Sequence, residues 1–235
     1  MNLWIAILTL VICFPYTLTE SAFQIIWNSP TQVCKFRYNN DLHLESFNIL
    51  TNINQTLRGQ LVSLLYDTQS GAWPNLVQNT TTNTTVEVNG GIPQKGNLAN
   101  HLAALESSLN TLIPDTQFQG LSVIDFEKYL PWWSQTNYGV YQKYQDASID
   151  YFKSRNPSVT DTAQINAGAG VEFENAVKLF MQNTIIRASD LRPNAKWGYF
   201  MYPECARGRL AIKPIWHFHD AASKCQFLRP ISTEK

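Results

Sequence analysis

Asp125 and Glu127 stand two residues apart at the end of an apolar run, in the stretch GLSVIDFEKYLPWW (residues 120–133), with Phe126 between them and Trp132 and Trp133 close behind. On an extended strand, side chains two apart point to the same face, so the two carboxyls lie side by side with Cα atoms roughly 7 Å apart. Carboxyls that close in a partly dry site resist joint ionisation, and one keeps its proton and can act as an acid. Aromatic walls beside such a pair suit a sugar substrate. An arbitrary Asp-x-Glu is most often two solvated acids. Here Val123 and Ile124 before the pair, and Pro131, Trp132 and Trp133 after it, favour a pocket. The two tryptophans read equally as a sugar platform or as core.

The surrounding sequence must supply the scaffold that holds the pair. FQIIWNSP (residues 23–30) and QLVSLLYDT (residues 60–68) are short apolar runs closed by turn residues, as buried strands are. In NLANHLAALESSLNTLIP (residues 97–114), Leu98, Leu102, Leu105, Leu109 and Leu112 recur at helical spacing before Pro114. The strand GLSVIDFE follows. A second helical run, residues 172–193, carries Phe173, Val177, Phe180 and Ile185, and KWGYFMYP (residues 196–203) reads as another strand. Strands alternating with helices imply an α/β fold with a parallel sheet, whose active sites form at the C-terminal ends of the strands. QNTTTNTTVEVNGG (residues 78–91) shows neither period and reads as an exposed loop. There is no internal repeat and no linker, so residues 23–235 form one domain.

Composition narrows the function classes. The chain has 235 residues, 44% of them hydrophobic, enough to bury a real core. Lys plus Arg equal Asp plus Glu at 18 each, so no net field favours nucleic acid or an anionic membrane. Residues 1–22, MNLWIAILTLVICFPYTLTESA, hold an apolar core too short to span a bilayer and read as a secretory signal peptide, with an uncleaved anchor as the alternative. Cleavage removes Cys13 and leaves Cys34, Cys205 and Cys225, an odd set, in an oxidising compartment. In a secreted chain, the Asn-x-Ser/Thr triplets at Asn54, Asn79 and Asn83 read as glycosylation sites. WHFHD (residues 216–220) puts His217 and His219 on one face but offers no third ligand at metal-site spacing. The glycines of NAGAGVEFENA (residues 166–176) follow no strand and lack dinucleotide-binding spacing.

NGGIPQKGNLANHL (residues 89–102), GLSVIDFE (residues 120–127), WGYFMYP (residues 197–203) with Cys205, and the opening FQIIWNSPTQVC (residues 23–34) together resemble the hyaluronidase family of secreted, venom and lysosomal enzymes. The likeness runs through nearly the whole chain after residue 22. It implies a distorted (β/α) TIM-like barrel and a retaining endo-glycosidase that cuts hyaluronan at its β-1,4 bonds, using the substrate's own acetamido group as nucleophile. By that resemblance Glu127 is the general acid and then the base, and Asp125 holds and polarises the acetamido group. The resemblance calls for no metal or cofactor. Tyr66, Asp67, Tyr199 and Tyr202 fall at or near family cleft positions and are candidate substrate contacts; for Tyr66, Asp67 and Tyr202, packing or capping is an equal reading. The partner implied is hyaluronan or a related glycosaminoglycan. The location implied is extracellular, with the lysosome as the alternative.

Three departures from the family pattern stand out. Where the family carries Trp-Arg-Pro after its acid pair, this chain has Tyr129, Leu130 and Pro131. Where the family has a second Tyr in the GYFMYP stretch, this chain has Phe200, with Tyr199 or Tyr202 as possible stand-ins. The family also runs further at its C-terminal end, with later strands, more cleft aromatics and the Cys that pairs with the one matching Cys34. The expectation is therefore an incomplete barrel with an exposed sheet edge, a Cys205–Cys225 disulfide and an unpaired Cys34. A second function class follows from the same departures: a hyaluronidase-like protein that binds glycosaminoglycan without cleaving it.

Overall fold

A computed structural model of the chain describes residues 23–79, 81–82 and 84–200. The signal-peptide segment (residues 1–22), Asn83, Tyr202, Cys205, Cys225, His217 and His219 lie outside the described residues. In chain order the elements are strand β1 (Ile25–Trp27), helix α1 (Gln32–Tyr38), strands β2 (Ile49–Thr51), β3 (Val62–Tyr66), β4 (Asn75–Asn79) and β5 (Thr84–Val88), helix α2 (Leu98–Leu112), strand β6 (Leu121–Asp125), helices α3 (Gln142–Arg155) and α4 (Thr162–Leu191), and strand β7 (Lys196–Tyr199). The centre is a three-stranded parallel sheet in the order β3-β6-β7. A parallel pair, β1-β2, and an antiparallel hairpin, β4-β5, complete a mixed α/β fold. Among the described residues the strands form no closed ring.

The sheet's two faces differ. Along β6 and just beyond it, Ser122, Ile124 and Phe126 are buried, while Leu121, Val123 and Asp125 are half-covered and Glu127 is exposed. The buried face meets α2 and α4 through Leu105, Leu109, Phe173, Val177, Phe180 and Ile185. Each such side chain, moved out of water, contributes on the order of 1.5–3 kcal/mol.

Two polar residues fasten the helices. Arg192, buried just past α4, donates from Nε to the Ile113 carbonyl at 2.6 Å and from Nη2 to the Leu109 carbonyl at 3.1 Å and Asn110 Oδ1 at 3.2 Å, while its Nη1 bonds the Leu191 carbonyl at 2.7 Å. One guanidinium thus bonds carbonyls at the C-terminal ends of α2 and α4, where a cation also suits both helix dipoles. His101 of α2 is wholly buried and bonds Thr184 of α4 at 2.7 Å through Nε2. The Thr184 hydroxyl donates to the Phe180 carbonyl, so it accepts from the ring, which places a proton on His101 Nε2.

Two sequence expectations are corrected. Residues 78–91, read as an irregular loop, contain most of the β4-β5 hairpin. Both strands are largely exposed, so no hydrophobic alternation marks them; the β-branched Thr84, Thr85, Val86 and Val88 form the ladder without a core. The hairpin leaves through Asn89, Gly90 and Gly91, all at positive φ, and a Cβ on Gly91 would lie 2.7 Å from the Glu87 side chain. The helix expected over residues 172–193 begins at Thr162, capped by Asp161, whose carboxylate accepts the Gln164 N–H. The glycines inside it are packing sites: a Cβ on Gly170 would sit 2.8 Å from the Trp133 ring. Helix α3 and strand β2 carry no sequence signal strong enough to have been read.

Replacing Arg192 with Ala removes four hydrogen bonds between and within the helix ends and takes the guanidinium from the buried Ile113 carbonyl, so urea unfolding should show a loss of about 3 kcal/mol. Burial lowers the His101 pKa to about 4, below its ordinary 6.5. The unfolded chain therefore takes up a proton before the folded one does. The stabilisation is complete above about pH 6.5 and is lost as pH falls toward 4, by about 3 kcal/mol in total. Urea midpoints of wild type and His101→Gln should converge across that window; a constant gap between them would refute the assignment.

Candidate active site

Phe126 explains why two acids flank an apolar residue. Its ring stacks on Trp73 with centroids 4.1 Å apart and meets Tyr129 edge-on at 4.8 Å, deep in the core. With Phe126 drawn inward, its neighbours must point away, so Asp125 and Glu127 share the opposite, half-open side at the C-terminal edge of the sheet. The parallel register places Tyr66, the last residue of β3, beside Asp125, the last residue of β6. Asp67 follows Tyr66 and pairs with Lys128 at 2.6 Å.

The electrostatics of the pair are unequal. Partial burial is the main cause that raises the Asp125 carboxyl above its ordinary pKa, with the charges of Glu127 and Asp67 pushing the same way. Asp125 Oδ1 is shielded from water and has no hydrogen-bond partner among the described residues. A shielded carboxylate oxygen without a donor is costly, and such sites commonly serve an incoming N–H. On the far side of Glu127 a cleft of about 310 Å³ opens, lined by Leu76, Glu127, Lys128, Tyr141, Lys143 and Tyr144 among others.

The candidate contacts divide. Tyr66, 42% exposed, stands with Asp125 and Asp67 at the strand ends. Tyr199 does not join them: its ring is in the core and its hydroxyl donates to the Met181 carbonyl at 2.9 Å. Phe200, next along, is 46% exposed, and its N–H continues the sheet to the Ile124 carbonyl. Tyr129 is buried, its hydroxyl without a partner among the described residues, and Leu130 is half-buried. Trp133 packs on Phe173 and donates its backbone N–H to Glu174, which makes it a packing residue. Asn54 is exposed at positive φ; Asn79 is exposed, and its side-chain oxygen accepts the N–H groups of Thr81 and Thr82. Cys34 is half-buried and forms no disulfide among the described residues. Sequence reasoning missed Lys128, Tyr141 and Lys143, because the segment bearing the last two has no hydrophobic period and reaches the cleft only through the packing of α3.

A family model described as hyaluronidase, of glycoside hydrolase family 56, matches residues 14–214. A hyaluronidase of Crotalus adamanteus is 37% identical over 192 residues, covering 82% of this chain and 41% of the relative, and a hyaluronidase of Tabanus yao is 38% identical, covering 82% and 54%. A crystal structure of bee venom hyaluronidase in complex with a hyaluronic acid tetramer superposes with a TM-score of 0.70 at 36% identity, covering 78% of this chain and 55% of that one. This chain belongs to the hyaluronidase family of glycoside hydrolases. It spans about half the length of the relatives it matches. Among the described residues no helix is long and apolar enough to cross a membrane.

The electrostatic coupling can be measured directly. In a carboxyl ¹³C titration, Asp125 should titrate above the ordinary Asp range, and Glu127→Gln should lower its midpoint without restoring the ordinary value, because burial and Asp67 remain. An Asp125 midpoint unmoved by Glu127→Gln would show that the two carboxyls do not interact.

Proposed function

We propose that the Asp125/Glu127 pair hydrolyses β-1,4 bonds of hyaluronan by a substrate-assisted, retaining route. The observation that carries this reading is the shielded Oδ1 of Asp125, without a hydrogen-bond partner among the described residues, close to Glu127 at the ends of parallel strands in a chain of the hyaluronidase family. Asp125 accepts the acetamido N–H of the bound sugar and holds its carbonyl oxygen toward the anomeric carbon. That oxygen forms a bond to the anomeric carbon as the glycosidic C–O bond breaks, and Glu127 gives its proton to the departing oxygen. The positive charge developing on the oxazolinium ion favours the ionised form of Asp125, whose carboxylate stabilises that ion in return. Water then adds at the anomeric carbon from the opposite side, Glu127 takes its proton, and the acetamido group is restored with retained configuration. Tyr66, exposed beside Asp125, offers a ring edge to the sugar.

The same reading extends to the rest of the chain. The β3-β6-β7 sheet with its covering helices fits an arc of a distorted (β/α) barrel. Residues 1–22 direct secretion to the extracellular space, Asn54, Asn79 and Asn83 carry glycans there, and Cys205 bonds Cys225. Tyr202 and Asp67 are candidate substrate contacts by the family resemblance, and Asp67 pairs with Lys128, which lines the cleft.

The test is a reducing-end assay on hyaluronan with purified protein. Glu127→Gln should lower turnover by about 10²–10⁴-fold while leaving oligosaccharide binding intact. Asp125→Asn should also reduce turnover, by on the order of 10²-fold. A Glu127→Gln protein that cuts hyaluronan as fast as wild type would overturn the assignment.

A further inference from the structure

The cleft beside Glu127 carries an ammonium group whose charge has no carboxylate partner among the described residues. Lys143 lies in the first turn of α3, half-buried. Its Nζ donates to the Leu76 carbonyl at 2.5 Å and stands 5.4 Å from the centroid of the Tyr144 ring. Three lysines of the described structure are ion-paired, Lys128 to Asp67, Lys95 to Glu87 and Lys35 to Asp41, and of the two that line this cleft, Lys128 and Lys143, only Lys128 is among them. An ammonium has three donors, and the Leu76 carbonyl takes one.

We propose that Lys143 binds a carboxylate of the substrate, so that the cleft selects an acidic, uronate-bearing sugar chain over a neutral one. This rests on the reading of Asp125 and Glu127 as a glycosidase pair. Two features make Lys143 more than a solvated surface charge. First, it is held: Lys143 and Tyr144 clamp the backbone of Leu76 together, the lysine on its carbonyl and the Tyr144 hydroxyl accepting its N–H at 3.2 Å. A tethered lysine loses less conformational entropy when it binds an anion. Second, it is partly dry and near a like charge. Burial and the neighbouring Lys128 both favour its neutral form, a cost that an arriving anion removes.

The site also fits the ligand in size and chemistry. The cleft's roughly 310 Å³ lies at the small end of the usual range for ligand pockets, about 300–1,000 Å³, and Tyr141 and Tyr144 line it together with Lys143. A polymer that alternates N-acetylated and uronate sugars presents its carboxylate one sugar away from each acetamido group. Asp125 would read the first kind of unit and Lys143 the second. The Asp67–Lys128 ion pair neutralises the other nearby cation and leaves this recognition to Lys143.

Calorimetric titration with two ligands tests the proposal: a hyaluronan tetrasaccharide, and the same tetrasaccharide with its carboxyls reduced to primary alcohols. The protein is the full chain bearing Glu127→Gln, so that neither ligand is cut. The acidic ligand should bind on the order of tenfold tighter than the neutral one, as expected for one charge-assisted contact. Adding Lys143→Gln should bring the ratio of the two dissociation constants toward unity, and adding Lys143→Arg should preserve the preference. Because the readout is a ratio within one variant, a general loss of stability does not imitate it. If the preference survives Lys143→Gln, or is absent from the start, the role of Lys143 is overturned while the glycosidase reading stands. If neither ligand binds, both fail.

Discussion

The burial of Phe126 is the constraint on which the site depends. Stacked on Trp73 and backed by Tyr129, Phe126 fixes the end of β6 in rotation, and rotation decides where the flanking carboxyls point. Removing a ring of this kind from a packed core costs about 3–5 kcal/mol, far more than the cost of keeping two acids on the opposite side. Trp73 in turn packs edge-on against His101 and lies near Phe180, so the acid pair is braced against both long helices. Chemistry at the strand ends is therefore tied to the core by one aromatic cluster.

The two main helices are positioned by directional groups. Arg192 gathers carbonyls from the ends of α2 and α4, and the neutral ring of His101 bridges the same helices through Thr184. Hydrophobic burial alone is non-directional and would tolerate a slide of one helix along the other. The buried hydrogen bonds are lost on any such slide and leave their groups unsatisfied, so they set the register in which the helices cover the sheet.

At the sheet's edge the charges are arranged unevenly. Asp125 is shielded and raised, Glu127 stands in the open at a cleft wall, Asp67 is paired with Lys128, and Lys143 is held by a backbone carbonyl. A net charge of zero for the whole chain conceals this local order. With no net field to attract ions, electrostatics at this edge is set by singly placed charges.

Much of this was legible in the sequence, and the reason is local periodicity. Apolar runs and leucine spacing revealed β3, α2, β6 and β7 near their observed bounds, and the two-residue spacing of Asp125 and Glu127 set them on one face before any fold was known. Elements without a hydrophobic period stayed hidden: the exposed β4-β5 ladder, helix α3, and the first turns of α4, whose glycines look like breakers until Trp133 is seen lying on Gly170. Only the tertiary structure decided which candidate side chains reach the site. Tyr199 and Tyr66 each end a strand of the same sheet, yet one hydroxyl is taken up by Met181 in the core and the other ring stands exposed beside Asp125. Lys143, from an amphipathically weak helix, reaches the cleft because Tyr144 next to it is buried against β4. Sequence spacing fixes which side chains share a face; the packing of distant elements determines whether that face meets core or cleft.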